Sequence, residues 1–556
     1  MRTTLLSVNR RYLRFLVLFL ALFFVSASEG AVLYVNTGAA GANDGSSWTN
    51  AFRNLQDALN ASVDGDEIWV AAGVYRPTTG IDRSISFVMK NGVTLYGGFA
   101  GTETLQKQRK WRLNETVLSG NIGVPGSTTD NSYHVVVADG TNSSAVLDGF
   151  TITGGNANGA TDEFKRGGGM HNDGGSPTVR NCRFVSNHAD KYGGGIYNYN
   201  GSPAITNCII SENSSGEYGG GMHIWWNAST PVLTNCTFTS NTAYWGGGAC
   251  TYLSGTSKFI ECVFEYNSAS GYGGGLFDSD GKPELTDSVF TGNSAAIEGG
   301  GVYNSGGSGT KTITGCTFSH NSAGEHGGGI YNKSVFDKLS VTNSTFFGNT
   351  APTGGGMYNW SASSPIVTNC TFSANEATAG GGMFNTNWSN PELMNCTFAG
   401  NRADFGGDAV FNQVGSAPVA TNSIFWGFVA PFGQIQNENT ATFAVTYSVT
   451  DQPGTGNITD DPLLGALADN GGPTRTHALL AGSAAVNAGT SAGAPATDQR
   501  GVARPQGAGV DIGAYEQGGA TPVPVPGPSG SGGGCTVGFS PWALLLLLPL
   551  SFLTRR

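Results

Sequence analysis

Three consecutive glycines recur through this chain inside an apolar, aromatic phrase. The phrase reads GGGMHN from Gly167, GGGIYN from Gly193, GGGMHI from Gly219, GGGAC from Gly246 and GGGLFD from Gly273. It continues as GGGVYN from Gly299, GGGIYN from Gly327, GGGMYN from Gly354, GGGMFN from Gly380 and GGDAVFN from Gly406. The start-to-start spacings are 26, 26, 27, 27, 26, 28, 27, 26 and 26 residues. A period in the twenties marks a solenoid, in which each repeat buries its face only against its neighbours. The 556 residues therefore read as one long domain with end pieces, where length alone would allow several domains.

A second phrase gives the wall of the coil: T-V-R-N-C-R-F-V-S-N from Thr178, A-I-T-N-C-I-I-S-E-N from Ala204, V-L-T-N-C-T-F-T-S-N from Val232 and I-V-T-N-C-T-F-S-A-N from Ile366. Cys208 and Ile210 alternate with period two, as in a half-buried strand. The step of three from Ile205 to Cys208 breaks that parity at Asn207, which reads as a corner. Asparagine tolerates left-handed backbone and stacks into an amide ladder when in register. One coil is thus a short strand, an Asn corner, a second strand, a second Asn corner at F-x-x-N, a loop and the glycine phrase. The glycines supply positive φ for a sharp bend and let successive backbones approach without Cβ atoms. Parallel coils stacked about 4.8 Å apart make the ten marked repeats a rod of about 48 Å. Leucine-rich repeats would need a Leu ladder, and calcium-binding nonapeptides a G-G-x-G-x-D phrase that is absent.

Seven cysteines, Cys182, Cys208, Cys236, Cys262, Cys316, Cys370 and Cys396, share one slot in this register, which Ser288, Ser344 and Ser423 fill elsewhere; Cys250 stands outside it. In-register Cβ atoms about 4.8 Å apart are too far for a disulfide, which needs about 3.8 Å. The slot reads as a ladder of buried thiols acting as small hydrophobes. Upstream, Leu33-Tyr34-Val35, Glu67 to Val70, Ser86 to Met89 and Val146 to Ile152 read as coil strands. Phe52, Leu55, Ala58 and Leu59 have the spacing of a helix that would cap the open end of the core.

The N-terminus carries Arg2, Arg10, Arg11 and Arg14, then apolar Phe15 to Val25 and small residues to Ala27, the pattern of a secretory signal peptide cleaved at Ala27. Its removal takes four positive charges from a net charge of -11, leaving -15. Such an acidic protein is a poor partner for nucleic acid. At the other end a Pro, Gly and Ser linker precedes Cys535, an apolar run from Pro541 to Leu553 and Arg555-Arg556. That run, 13 residues, falls short of the roughly 20 that span a bilayer.

The paired GGGIYN and F-x-x-N phrases resemble the repeats of chlamydial polymorphic outer membrane proteins over residues 150 to 430. The stretch from Asp44, D-G-S-S-W-T-N-A-F-R-N-L-Q-D-A-L, with Y-G-G-F-A-G-T-E from Tyr96 and L-D-G-F-T-I-T-G-G from Leu147, resembles the opening coils of bacterial right-handed parallel β-helix proteins. The chlamydial proteins end in a membrane β-barrel, for which no run of alternating ten-residue strands follows residue 450. Instead D-P-L-L from Asp461, N-G-G-P-T-R-T-H-A-L-L from Asn470, T-D-Q-R-G from Thr497 and D-I-G-A-Y-E from Asp511 are similar to the choice-of-anchor Q domain. The tail at Cys535 resembles the Gly/Cys-bearing relatives of PEP-CTERM-type sorting signals, which implies an envelope sorting protease as partner and a place at the cell surface. These resemblances imply an all-β, right-handed parallel β-helix with an N-terminal cap, divided as signal 1–27, β-helix 31–450, anchor-Q-like segment 457–517, linker 518–534 and sorting signal 535–556.

For function, the residue before the glycines is Tyr192, Tyr218, Trp245 and Tyr272 in four successive coils, with Trp225, Trp226 and Tyr252 in the same stretch. Rings about 4.8 Å apart match the rise of a sugar residue and combine apolar faces with polar rims. The expectation is a monomeric adhesive or structural surface protein that contacts polysaccharide or a neighbouring cell surface, without cofactor or metal. The alternative is a polysaccharide lyase or hydrolase. A lyase needs a base beside an acidic calcium cluster, and a hydrolase needs paired carboxylates on adjacent coils. Asp278, Asp280, Glu284 and Asp287, with Lys282 nearby, read as a solvated loop. His171 and His223 fill the slot of Tyr197, Tyr303, Tyr331 and Tyr358, two coils or about 10 Å apart, too far to share one zinc ion.

Overall fold

In the computed structural model, the described residues are 30–519, except 125, 308, 336–338 and 428–432. The segments containing Ala27 and Cys535 lie outside them. Among the described residues no helix is long and apolar enough to cross a membrane.

The coil that starts at Ala204 shows the plan. Strand Ala204–Thr206 runs to Asn207, whose φ of +54° turns the chain. Strand Ile209–Ser211 follows, then Glu212 at φ +56°, Asn213, the short strand Ser214–Ser215, a loop, the glycines and strand Met222–Trp225. Each strand pairs in parallel with its counterpart one coil on, giving first, second, third and fourth sheets of 15, 13, 10 and 13 strands. The fourteen steps of the first sheet span about 67 Å at parallel spacing, and the wall is the parallel β-helix expected. The second corner differs in detail. Its left-handed residue is the one before the F-x-x-N asparagine, as at Ser186, Glu212 and Ser240, because the asparagine itself is turned inward. Val146 to Ile152 is likewise two strands, Val146–Asp148 and Thr151–Thr153, with Gly149 at φ +87° in the corner that Asn181 occupies next.

The glycine triplet divides its labour. Gly219 takes φ +64°, while a Cβ on Gly220 would stand 2.4 Å from the Thr242 carbonyl oxygen and one on Gly221 2.5 Å from that of Gly248. In the last phrase the in-register bend is Gly407, at φ +62°, so Asp408 and Ala409 stand where earlier coils carry the second and third glycines.

Inside, like stacks on like. Phe238, Phe264 and Phe290 are parallel rings with centroids 4.6 Å apart at each step, in a column that runs to Phe425. Burying one such side chain is worth about 1.5–3 kcal/mol. The F-x-x-N asparagines, from Asn187 to Asn401, form the strongest polar ladder. Asn241 Nδ2 donates to Asn267 Oδ1 at 2.9 Å and to the Ile210 carbonyl at 2.8 Å, while Asn241 Oδ1 accepts from Asn213 N and Nδ2, both at 3.0 Å. A third ladder runs through the glycine phrase, from Asn304 through Asn332, Asn359, Asn385 and Asn412 to Asn437. All eight described cysteines are buried and unpaired, Cys250 included. Burial pushes the Cys316 and Cys396 thiols up to about 12.

The rod's ends are closed differently. At the start, α1 (Leu55–Ala61) is capped by Asn54, whose Oδ1 accepts from Gln56 N at 2.9 Å, and it buries Leu55, Ala58 and Leu59 on the core. After Thr446 the chain returns along the outside of the rod as a strap. Gln499 is buried between Thr345, Thr371 and Thr474, and Asn369 and Asn395 donate to the carbonyls of Thr497 and Asp511. Buried ion pairs Arg500–Asp498 at 2.7 Å and Arg504–Glu516 at 2.8 Å hold the strap together. The T-D-Q-R-G and D-I-G-A-Y-E phrases thus serve to build and dock it.

Native protein is expected to resist alkylation at these eight thiols and to react at all of them once denatured without reductant, as read by intact mass. Cys236→Ser should cost under about 1 kcal/mol, since Ser288 and Ser344 already occupy the slot. Asn241→Ala removes the hydrogen bonds it makes with Ile210 O, Asn213 N and Asn213 Nδ2, the last keeping only its bond to Phe184 O, a loss of about 3–5 kcal/mol. Asn235→Ala, which removes one exposed rung to Asn207, should cost about 1 kcal/mol. Chemical denaturation of the three variants checks the order.

Candidate functional site

Strands of the fourth sheet alternate their side chains. In Met222–Trp225, Met222 and Ile224 enter the core, so His223 and Trp225 face outward. Register repeats this choice, and the outer row becomes His171, Tyr197, His223, Cys250, Phe277, Tyr303, Tyr331, Tyr358, Phe384 and Phe411. From Phe277 to Phe411 these rings stack with centroids 4.9 to 5.2 Å apart. They form a second apolar cluster outside the coil.

The residues before the glycines make a second row that lies over the first. Parallel bridges join Arg166, Tyr192, Tyr218 and Trp245, Trp245 pairs with Tyr272, and further bridges lead to Glu298, His326 and Thr353. The expected row of Tyr192, Tyr218, Trp245 and Tyr272 is therefore real as a backbone register. Its rings are not an even comb of exposed faces. Tyr218 and Trp245 stack on each other at 4.4 Å and 12°, Tyr192 tilts 52° from Tyr218, and Tyr272 meets Tyr303 edge-on at 64°. All four are half-buried. Trp225 packs edge-on to Tyr192 at 6.0 Å, whereas Trp226, at φ +91° and 45% exposed, turns aside toward Tyr199.

Arg166 heads this row and was not singled out above, although it precedes the first glycine phrase in the slot already marked by Tyr192. Its guanidinium lies 5.5 Å from the rings of both Tyr192 and Tyr197 and 5.8 Å from that of Trp225. It donates to Tyr197 Oη at 3.2 Å and pairs with Asp162 at 3.5 Å. Three buried polar atoms of this cluster, Arg166 Nε, His223 Nδ1 and Trp225 Nε1, have no hydrogen-bond partner among the described residues. His223 is 2% exposed, and burial, with the Arg166 charge beside it, lowers its pKa to about 3. The cluster therefore combines a fixed cation, a neutral imidazole, an indole N–H and several ring edges at one end of an aromatic strip.

The acidic loop needs correction. Asp278 is wholly buried, in register with Asn304 of the inner amide ladder, and Lys311, itself 1% exposed, forms an ion pair with it. Thr251 Oγ1 donates to its other oxygen at 2.5 Å. Burial pushes the Asp278 carboxyl up and the Lys311 ammonium draws it back. Asp280 faces out at a corner and accepts from Gly307 N, and Glu284 pairs with Lys258 at 2.9 Å. The four acids do not converge on one reacting position. Lys311 was missed because it lies 33 residues from Asp278 in a coil whose length differs from the rest. Two surface depressions, of about 680 and 330 Å³, lie beside Glu103 and Lys107 and beside Glu376 and Arg402.

The right handed beta helix region family matches residues 135–318 and 298–446, together more than half of the chain. The chain belongs to that family. No curated protein matches it in sequence. Three solved structures align along the rod. One is pectate lyase Pel9A, at 15% identity over 88% of this chain and 97% of that one, with a TM-score of 0.33. A rhamnogalacturonan lyase aligns at 13% identity over 67% and 83%, with a TM-score of 0.26. XylC in complex with xylose aligns at 10% identity over 79% and 88%, with a TM-score of 0.34. Likenesses this distant carry no argument about activity.

The buried ion pair is testable through the amide ladder that Asp278 interrupts. Lys311→Ala should lose about 3–5 kcal/mol by stranding the Asp278 carboxylate. Adding Asp278→Asn, which restores the residue type of Asn304 and Asn332, should recover most of that loss in thermal or chemical unfolding.

Proposed function

We propose that this protein is an exported, surface-held binding rod that grips a polysaccharide along the outer aromatic strip, with its main contact at Arg166, Tyr192 and Trp225. The observation that carries the reading is the Arg166 guanidinium set 5.5 to 5.8 Å from the rings of Tyr192, Tyr197 and Trp225, with Arg166, Tyr192 and Trp225 all half-buried rather than enclosed. Sugars present hydroxyls of both donor and acceptor character above apolar C–H faces. Such a strip answers both needs, the half-buried rings supplying apolar contact and the Arg166 guanidinium supplying donors that fix orientation. The interlocked stacking adds preorganisation, since little side-chain freedom is left to lose on binding. The role is read as adhesive rather than catalytic because the acids of the loop after Phe277 are engaged in its structure, as at Asp278, or paired at its surface, as at Glu284.

Affinity electrophoresis through gels containing neutral and acidic polysaccharides tests this. Retardation by one polymer is expected, with Arg166→Ala and Trp225→Ala each weakening it at least tenfold while far-ultraviolet circular dichroism and melting remain near wild type. Retardation by none of the polymers, or equal retardation of the variants, removes the reading. Release of unsaturated or reducing ends from pectin, alginate or a glycosaminoglycan would replace it with an enzymatic one.

Surface placement rests on the order of linker, Cys535, apolar run and Arg555-Arg556. Deleting residues 535–556 should release the folded body into the medium. Retention of the truncated protein on cells would count against a sorting role for the tail.

A further inference from the structure

The row that carries Tyr192 to Tyr272 changes character where it continues as Glu298 and His326, bridged in register one coil apart. Glu325 precedes His326 and turns its carboxylate to the same place. A carboxylate oxygen from each glutamate and a ring nitrogen of the histidine all lie within 4.8 Å of one another. Among the described residues this is the one group of three such side chains so placed.

We propose that Glu298, Glu325 and His326 bind a divalent first-row transition ion of the zinc class. The imidazole decides the class, because calcium and magnesium are held by oxygen ligands whereas mixed nitrogen and carboxylate sets suit zinc. The ring is already oriented for it. His326 Nδ1 lies 2.5 Å from Thr353 Oγ1, and the ring stacks on Tyr358 at 4.5 Å and 15°. That leaves Nε2 for the ion, the arrangement in which an outer hydrogen bond sets a metal-binding histidine. Glu298 is half-buried near the Glu325 carboxylate. Lys333 is engaged 5.0 Å above the Trp360 ring. A dication there would offset the carboxylate charge that the local cations leave unbalanced. Tetrahedral bonds of about 2.1 Å set donors about 3.4 Å apart, so the side chains must close by up to about 1.4 Å from a separation of 4.8 Å. Glu325 is exposed and can rotate to do so. Three protein ligands at the surface leave a coordination position for water, and the ion would tie the loops of two adjacent coils.

This inference does not depend on polysaccharide binding. Its test is calorimetric titration of the chelator-treated full chain with Zn²⁺, with Co²⁺ as a spectroscopic probe of the ligand set. One equivalent per chain is expected, with affinity at least tenfold weaker in Glu325→Gln and in His326→Ala, and with Ca²⁺ failing to compete. Thr353→Ala should weaken binding while preserving the stoichiometry, as befits a positioning residue. Glu325→Gln alters an exposed side chain, so its metal-free melting should match wild type and keep the comparison clean. Absence of zinc binding, equal binding by His326→Ala, or displacement of zinc by Ca²⁺ would each overturn the assignment.

Discussion

Parallel pairing in register is the constraint on which the rest of this molecule depends. Each coil sits one strand spacing beyond the last, so the nearest neighbours of a side chain are its counterparts in the adjoining repeats. That geometry rewards identity. Phenylalanines stack face to face, asparagines pass hydrogen bonds from one amide to the next, and thiols lie in a column where serine is the accepted exchange. It also explains the glycine triplets, since a bend repeated every coil brings backbone against backbone and leaves no room for Cβ atoms.

Much of this was legible because the repeat makes the sequence its own reference. The period, the Asn corner at Asn207, the buried thiol slot, the capping helix and the row Tyr192 to Tyr272 all follow from reading like positions together. What escaped that reading depends on departures from the repeat. Asp278 looked solvated because its loop contains Lys282 and Pro283, yet it occupies an amide-ladder slot, and its partner Lys311 belongs to another coil. The ladder from Asn304 to Asn437 lay hidden inside a phrase already accounted for by its glycines. The ring orientations were not legible at all: register sets where a side chain begins, while packing against Tyr197, Tyr303 and their neighbours sets where its face points.

Charge is spent sparingly along the rod. With 12% charged residues, the surface is made mostly of Ser, Thr, Asn and Gly, and a solenoid held by stacking and amide ladders has little need of surface ion pairs, each worth at most about 1 kcal/mol. Buried charges occur where the repeat is interrupted or closed. Asp278 replaces a ladder amide and Lys311 stands in the position of Leu339 one coil on, while the Asp498–Arg500 and Glu516–Arg504 pairs shape the strap. The outer aromatic strip is the other exception to uniformity, changing along its length from a cation among rings at Arg166 to carboxylates and an imidazole at Glu298, Glu325 and His326.

The strap bears on how such a chain can change its length. Its contacts fall on successive coils at Asn343, Asn369, Asn395 and Asn422, each met by a different strap residue. Coils beneath it are therefore counted: gain or loss of one would shift every later partner by a full repeat. The coils between Arg183 and Val289 lie beyond these contacts and answer only to their neighbours. Growth by duplication is open in that upstream stretch and closed under the strap, so variation in rod length belongs to the end that carries Arg166 and the rings.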